Sequence, residues 1–410
     1  MKKFFLLLAL SISLLSNGQT GTTWTIATAA SSNAWNSVTY GDGQFVGVSG
    51  FGTTKSVMTS PDGINWTGRV APPTNLWESV TYGNGQFVAV ASSGQGNRVM
   101  TSPDGIVWTS GMSAANNFWN SVTYGNNLFV AVASSGQGNR VMTSSDGITW
   151  TARVSASDAD WTAVTFGNNL FVAVAETGTN RVMTSPDGIT WTSRTAAMDK
   201  TWRSVTYGNN IFVAVAHDGE TANMIMKSTD GITWMAAASP NTSRWNSVAY
   251  GNGQFVAVSD IGQVVQEAQV MTSGDGTNWT NAPAAAPRMW NSICYGNGRF
   301  VAAGRNTSPT VTNTMYSGSL LLGQDEFDEE KILIYPNPAS DRLFIKIPDF
   351  VNSDNATAKI YDLTGKLVSE LKIDSNTMSI DVADLQYGLY ILKLDYGNRS
   401  LTERIAITNN

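Results

Sequence analysis

Residues 77–111 read WESVTYGNGQFVAVASSGQGNRVMTSPDGIVWTSG, and the stretch that opens at Trp119 repeats them almost letter for letter. Self-similarity at a fixed period marks a repeat architecture. The opening tryptophan recurs at Trp35, Trp77, Trp119, Trp161, Trp202, Trp245 and Trp290, in steps of 42, 42, 42, 41, 43 and 45 residues. A second series closes a DGxxW element at Trp66, Trp108, Trp150, Trp191, Trp234 and Trp279, each 11 residues before the next opening tryptophan. Trp24 stands 11 residues before Trp35. The two series use all 14 tryptophans of the chain, so the repeat organises the whole of this region.

Each copy holds four short strands. WxSVTY alternates and ends at a Gly-Asn turn; QFVAV is a nearly continuous apolar run; RVMTS follows; ITWT is reached through Pro-Asp-Gly. Asn-Gly and Asp-Gly favour hairpins because these residues tolerate positive φ. An apolar central strand fits a sheet covered on both faces. Four strands per copy of this length predict a propeller blade. The last copy, from Trp290, has no DGxxW strand, and Gly21 to Trp24 supply one. The expected fold is therefore all-β, a seven-bladed ring whose last blade takes its outer strand from the N-terminus. That closure removes the exposed edges of an open array. A solenoid would carry distinct polar caps, and none is visible.

The chain has 410 residues, of which 14% are charged, 38 glycines and a net charge of −6. An acidic chain lacks the basic footprint of a nucleic-acid partner. Its single cysteine, Cys294, precludes an intramolecular disulfide. Lys2, Lys3 and the apolar run Phe4 to Leu15 read as a secretory signal over 1–18, cleaved between Gly18 and Gln19. An uncleaved anchor helix is the alternative. The apolar run is short for a membrane span and no other is longer, so no transmembrane segment is expected in the mature chain, which should be a monomer.

The turn S-P-D-G-I-T-W resembles the Asp-box of sialidase-like propellers, with one residue fewer between Asp and Gly. The resemblance implies that Asp62, Asp104, Asp146, Asp187, Asp230 and Asp275 hold turns and that Trp24, Trp66 and their counterparts pack in the blades. It marks a fold, not an activity. Arg98, Arg140 and Arg181 occupy one repeat position, so they recur at intervals around a ring and do not converge. The lone His217 lies in a loop with Asp218 and reads as solvated or, less simply, as a catalyst. No metal, cofactor or nucleophile motif appears. No cofactor and no enzymatic activity are expected.

In a four-stranded meander, the turns after strands one and three share one face of the disc. The loops after strand two, and the segments between blades, share the other. The first face is uniform across copies. The second varies, as in SSGQGN (92–97), ETGTN (176–180), HDGETAN (217–223) and DIGQVVQEAQ (260–269). Varied loops on a rigid scaffold are where recognition concentrates. Arg98, Arg140, Glu176, Arg181, His217 and Asp218 are the candidate ligand-face residues, for an extracellular glycan or protein. Loop drift without binding is the alternative. The opening tryptophans either pack between blades or line the channel mouth and stack on sugars. A surface binding or adhesion module is the expected function, and a secreted glycan-active hydrolase or lyase is the alternative. A non-repeated cluster of Arg, Glu and Asp at the channel mouth would favour the enzyme.

The propeller is assigned to 19–323 and an acidic linker, QDEFDEE, to 324–330. Residues 331–410 change style, to short alternating strands such as KIYDL and LYILKL. They carry Tyr335, Pro336, Asn337 and Pro338, then Asp362 and Gly365, then Gly388 and Tyr390. In order and spacing they resemble the type A C-terminal sorting domain of the type IX secretion system of Bacteroidetes. The alternating strands read as a small β-sandwich, and the resemblance implies Sec export, engagement of the type IX machinery, and a destination outside the cell or on its surface.

Overall fold

The computed structural model describes residues 23–51, 55–218, 223–260, 269–305, 313–317, 333–335, 339–346, 357–373, 377–396 and 399–408. The expected cleavage site at Gly18 and Gln19, the linker 324–330, and Pro336, Asn337 and Pro338 lie outside these residues. The chain divides into two compact units, residues 1–320 and 321–410.

The first unit contains seven antiparallel four-stranded sheets. Blade 2 is representative, with strands Trp77–Gly83, Gln86–Ala91, Val99–Ser102 and Thr109–Gly111 in sheet order. Blades 1 to 6 are each built from one contiguous copy. In blade 7 the order is Trp24–Ala27, Thr314–Ser317, Arg299–Arg305, Met289–Gly296, so the N-terminal strand is the outer one. Trp24 pairs with Ser317 and Ala27 with Thr314. Each first strand packs on the first strand of the next blade, and blade 7 packs on blade 1, so seven first strands surround the axis.

The close approach of these strands depends on a glycine that the sequence reading took for part of a turn. The turn itself is Asn84-Gly85, with φ of 48° and 75°. The preceding Gly83 has another task. A Cβ placed there would lie 2.1 Å from Cγ of Tyr124 in the next blade. The same contact, at 2.0 to 2.1 Å, joins Gly41 to Tyr82, Gly125 to Phe166, Gly167 to Tyr207, Gly208 to Tyr250, Gly251 to Tyr295, and Gly296 to Tyr40. The last of these carries the series across the closure. Each such ring also packs on the phenylalanine of its own second strand, as Tyr82 does on Phe87 at 4.7 Å.

The layers between blades are apolar. Val88, Val90 and Val99 of blade 2 meet Trp119, Phe129, Met142 and Trp150 of blade 3. All seven opening tryptophans are fully buried, which excludes sugar stacking by them at the channel mouth. Trp66, Trp108, Trp150, Trp191 and Trp234 cap their DG turns: Trp150 Nε1 donates to the Gly147 carbonyl at 2.9 Å. In the same turn Asp146 Oδ1 accepts from Ser144 Oγ and from the amides of Ile148 and Thr149 at 2.8 to 2.9 Å. The equivalent set recurs at Asp62, Asp104, Asp187, Asp230 and Asp275. This is Asx-turn chemistry, which answers local backbone donors with a side-chain oxygen.

Among its described residues the second unit has two sheets. Leu333–Tyr335, Arg342–Lys346 and Thr377–Asp381 form one; Leu367–Lys372, Thr357–Tyr361, Gly388–Tyr396 and Arg399–Ile407 form the other in that order. Leu343, Ile345, Ile360, Leu392, Leu394 and Ile405 share one buried cluster, as expected for a small sandwich. Asp362 accepts from the amides of Thr364 and Lys366, and Gly365 has φ of 85°, so these two motif residues build the turn between Thr357–Tyr361 and Leu367–Lys372. Tyr390 is buried and its hydroxyl donates to the Gln386 carbonyl at 2.7 Å.

Two outcomes follow. Gly125→Ala forces a methyl group into the Phe166 ring, and overpacking of this kind costs about 1–3 kcal/mol. Gly274→Ala, with nothing within 4 Å of its added carbon, should leave the denaturation midpoint almost unchanged. Asp146 and Asp230 are held down to about 2, chiefly by the backbone amides of Thr149 and Ile148 and of Thr233 and Ile232. Their folded pKa lies below the unfolded value of about 3.9, so their contribution is complete above that pH and is lost as pH falls toward 2. Denaturant midpoints measured from pH 5 to pH 2 should fall, and less steeply in Asp146→Asn.

Candidate functional site at the channel mouth

One end of the ring carries the starts of the first strands, the varied loops and the segments between blades. Each first strand is bulged there. Trp77 pairs with Ala91 and Ser79 with Val90, which leaves Glu78 unpaired, and the register shift recurs in every blade. A bulge re-aims the side chain of the extra residue. The bulged residues are Asn36, Glu78, Asn120, Thr162, Arg203, Asn246 and Asn291.

Five of these stitch the ring. Nδ2 of Asn36, Asn120, Asn246 and Asn291 donates to the carbonyl of the next blade's opening tryptophan at 2.9 to 3.1 Å, and Thr162 Oγ1 does the same at 2.7 Å. One residue further on, Ser37, Ser79, Ser121, Ser204, Ser247 and Ser292 accept from an amide of the next first strand at 3.0 to 3.2 Å. The innermost strand of a blade is an open edge with unpaired backbone groups. The belt of Asn and Ser side chains answers them.

Blades 2 and 5 depart from the belt. Glu78 accepts from Asn36 Nδ2 at 2.9 Å and from Ser92 Oγ at 2.6 Å. Arg203 pairs with Glu176, the residue that follows the second strand of blade 4. Burial pushes the Glu78 carboxyl above its ordinary range, opposed by Ser92, by the charge of Arg203 and by Asn36. Blades 2 and 5 are not neighbours, so that charge acts across the channel. At the position of Glu176, blade 5 presents His217 and blade 6 Asp260, joined Nε2 to Oδ2 at 3.1 Å. The register therefore assembles Glu78, Glu176, Arg203, His217 and Asp260 at one mouth. It is a non-repeated group of charged and polar side chains on the varied face.

The candidate residues divide. Glu176 and His217 belong to this cluster. Arg98 does not face a ligand: it is 6% exposed and donates to the carbonyls of Gly94, Ser92 and Asn117. Arg140 clamps its loop in the same way and pairs with Asp160 at 2.9 Å, and Arg181 holds Gly178 and Asp199. Asp218 caps the backbone of Thr201. A shallow depression of about 610 Å³, bordered by Gly178, Arg181, Met198 and Asp199, lies on the same face. Glu78, Arg203 and Asp260 were missed in the sequence. For Glu78 and Arg203 the signal is there, as the charged exceptions in an otherwise neutral column of the repeat; Asp260 shares its column with Glu176 and His217.

A closed propeller with a charged, varied mouth defines the first unit, and the sandwich tells how the chain travels. Residues 333–408 match the family described as secretion system C-terminal sorting domain. The second unit is thus a type IX sorting domain, and the protein is exported by that system, to be secreted or held at the cell surface. Solved structures similar to the chain include a streptogramin B lyase (TM-score 0.60, 11% identity, 72% of this chain and 96% of that one). YCF48 bound to a D1 peptide is another (0.54, 13%, 72% and 94%). A third is PorZ, a surface component of the type IX system of Porphyromonas gingivalis (0.51, 13%, 92% and 60%). At these identities the likeness is one of fold. No curated protein matches the chain.

Glu78→Asn removes a half-buried carboxylate and supplies the missing belt donor for the Trp119 carbonyl. A restored hydrogen bond of this kind is worth about 1 kcal/mol. The melting temperature measured by calorimetry should rise by about 2 °C.

Proposed function

We propose that the propeller is a recognition module, delivered outside the cell by its sorting domain, that takes its ligand at the channel mouth. One observation carries this reading. The belt that seals the ring is broken at Glu78 and Arg203, and both breaks put ionisable groups into the mouth on the varied face. A purely structural ring has no use for a half-buried carboxylate with a raised pKa at a position where Asn stitches the neighbouring blades. Perturbed groups of this kind concentrate at functional sites.

A second reading, a secreted glycan-active hydrolase or lyase, is favoured by the same acid and by the His217–Asp260 pair. A carboxyl group whose pKa is raised by burial holds its proton more readily than a free one, which favours general acid work.

The test uses the full chain and a variant returned to the repeat, Glu78→Asn with Arg203→Asn. Both are passed over glycan and peptide arrays and assayed for release of reducing ends from a polysaccharide panel. The wild type should bind a probe that the folded variant does not. Equal binding by the two proteins would remove the mouth as the site. Turnover by the wild type alone would establish the enzyme.

A further inference from the structure

We infer that the ligand of the channel mouth is an acidic saccharide whose oxyanion, carboxylate or sulfate ester, seats on Arg203. The inference rests on the recognition reading and adds the chemical class. Arg203 bonds Glu176 through Nη1, which orients the guanidinium. A guanidinium has five donors in a planar fork, so Nε and Nη2 remain for a ligand. The side chain is 47% exposed. Such a fork matches an oxyanion in bidentate fashion, which an ammonium group does not.

The rest of the mouth, the carboxylates Glu78, Glu176 and Asp260 included, offers acceptors to hydroxyl groups, so among the described residues Arg203 is the one seat there for an oxyanion. Asn36, Asn120, Asn246 and Asn291 commit an Nδ2 donor to the next blade, which fixes each amide. Their half-buried side chains keep Oδ1 as an acceptor. A polyol can donate to several such oxygens around a ring. Phe118, directly before the opening tryptophan of blade 3, is 51% exposed. Arg98 lies over its ring at 5.7 Å from the centroid, which supports one face, and a half-exposed aromatic ring can take the C–H face of a pyranose.

A peptide fits less well. Extended peptides bind by adding to a free strand edge. Here most of the inner edge is already answered by the Asn and Ser belt, and the gaps beside Glu78, Arg203 and Ala163 are single positions rather than a free strand edge.

The experiment is titration calorimetry on the full chain with oligomers of galacturonate, glucuronate and guluronate. Their carboxyl-reduced counterparts, a sulfated galacto-oligosaccharide and an acidic peptide complete the panel. At least one acidic saccharide should bind, its neutral counterpart at least tenfold more weakly. Arg203→Gln should lose at least tenfold, Arg203→Lys should fall between, and Phe118→Ala should weaken binding several-fold. Uronates and the sulfated sugar separate the two oxyanions. Silence of every acidic saccharide overturns the inference, as does equal affinity for the reduced forms with Arg203→Gln unchanged. If a neutral sugar or the peptide binds and the Glu78→Asn, Arg203→Asn double variant abolishes it, recognition stands and the acidic class falls. If that double variant changes no binding at all, the mouth reading falls with it.

Discussion

Seven first strands must approach one another closely around an axis, and a glycine meeting an aromatic ring at every junction allows it. The contact leaves no room for a Cβ. It is steric and not conformational, since none of these glycines needs positive φ. Everything further out follows from it. Close first strands let the Asn and Ser side chains of one blade reach the backbone of the next. The wedge between two such strands is then filled by the Val, Met, Phe and Trp layers of the outer strands. The N-terminal strand completes the last wedge, so the covalent ends of the array meet inside one sheet.

The same constraint explains where function sits. On the uniform face the DG turns are locked by Asp and Trp, and each turn glycine packs on the preceding blade, as Gly147 does near Val88. Change there disturbs a junction. On the other face the strands are bulged and the loops leave the sheet, so a side chain can vary without moving the backbone. Glu78 and Arg203 take positions where Asn would stabilise the ring. A residue held against the interest of stability is the kind of departure that functional sites show. Arg98 and Arg140, which drew attention as charges, are the opposite case, since they tie down loops beside the mouth.

Most of the fold was legible in the sequence because the repeat states each element seven times. The four strands, the positive-φ turns at Asn84 and Gly85, and the closing strand at Trp24 follow from patterns local to one copy. The glycine contact was not legible, because its partner, Tyr124 for Gly83, lies a full period away and the glycine sits beside a turn that explains it falsely. The site was half legible. Glu176 and His217 stood out as loop charges. Arg203 and Glu78 sit inside a strand, and only the bulge turns them to the mouth. Comparing the residue after each opening tryptophan, copy against copy, would have exposed them.

The belt between first strands can be measured amide by amide. Hydrogen exchange resolved at Val38, Val80, Val122, Val164, Val248 and Ile293 should show strong protection, since each amide donates to a serine of the preceding blade. At Val205 the preceding blade offers Ala163 and no hydroxyl, and exchange there should be markedly faster. Fast exchange at Val38 and Ile293, which flank the closure, would contradict a ring sealed by these contacts.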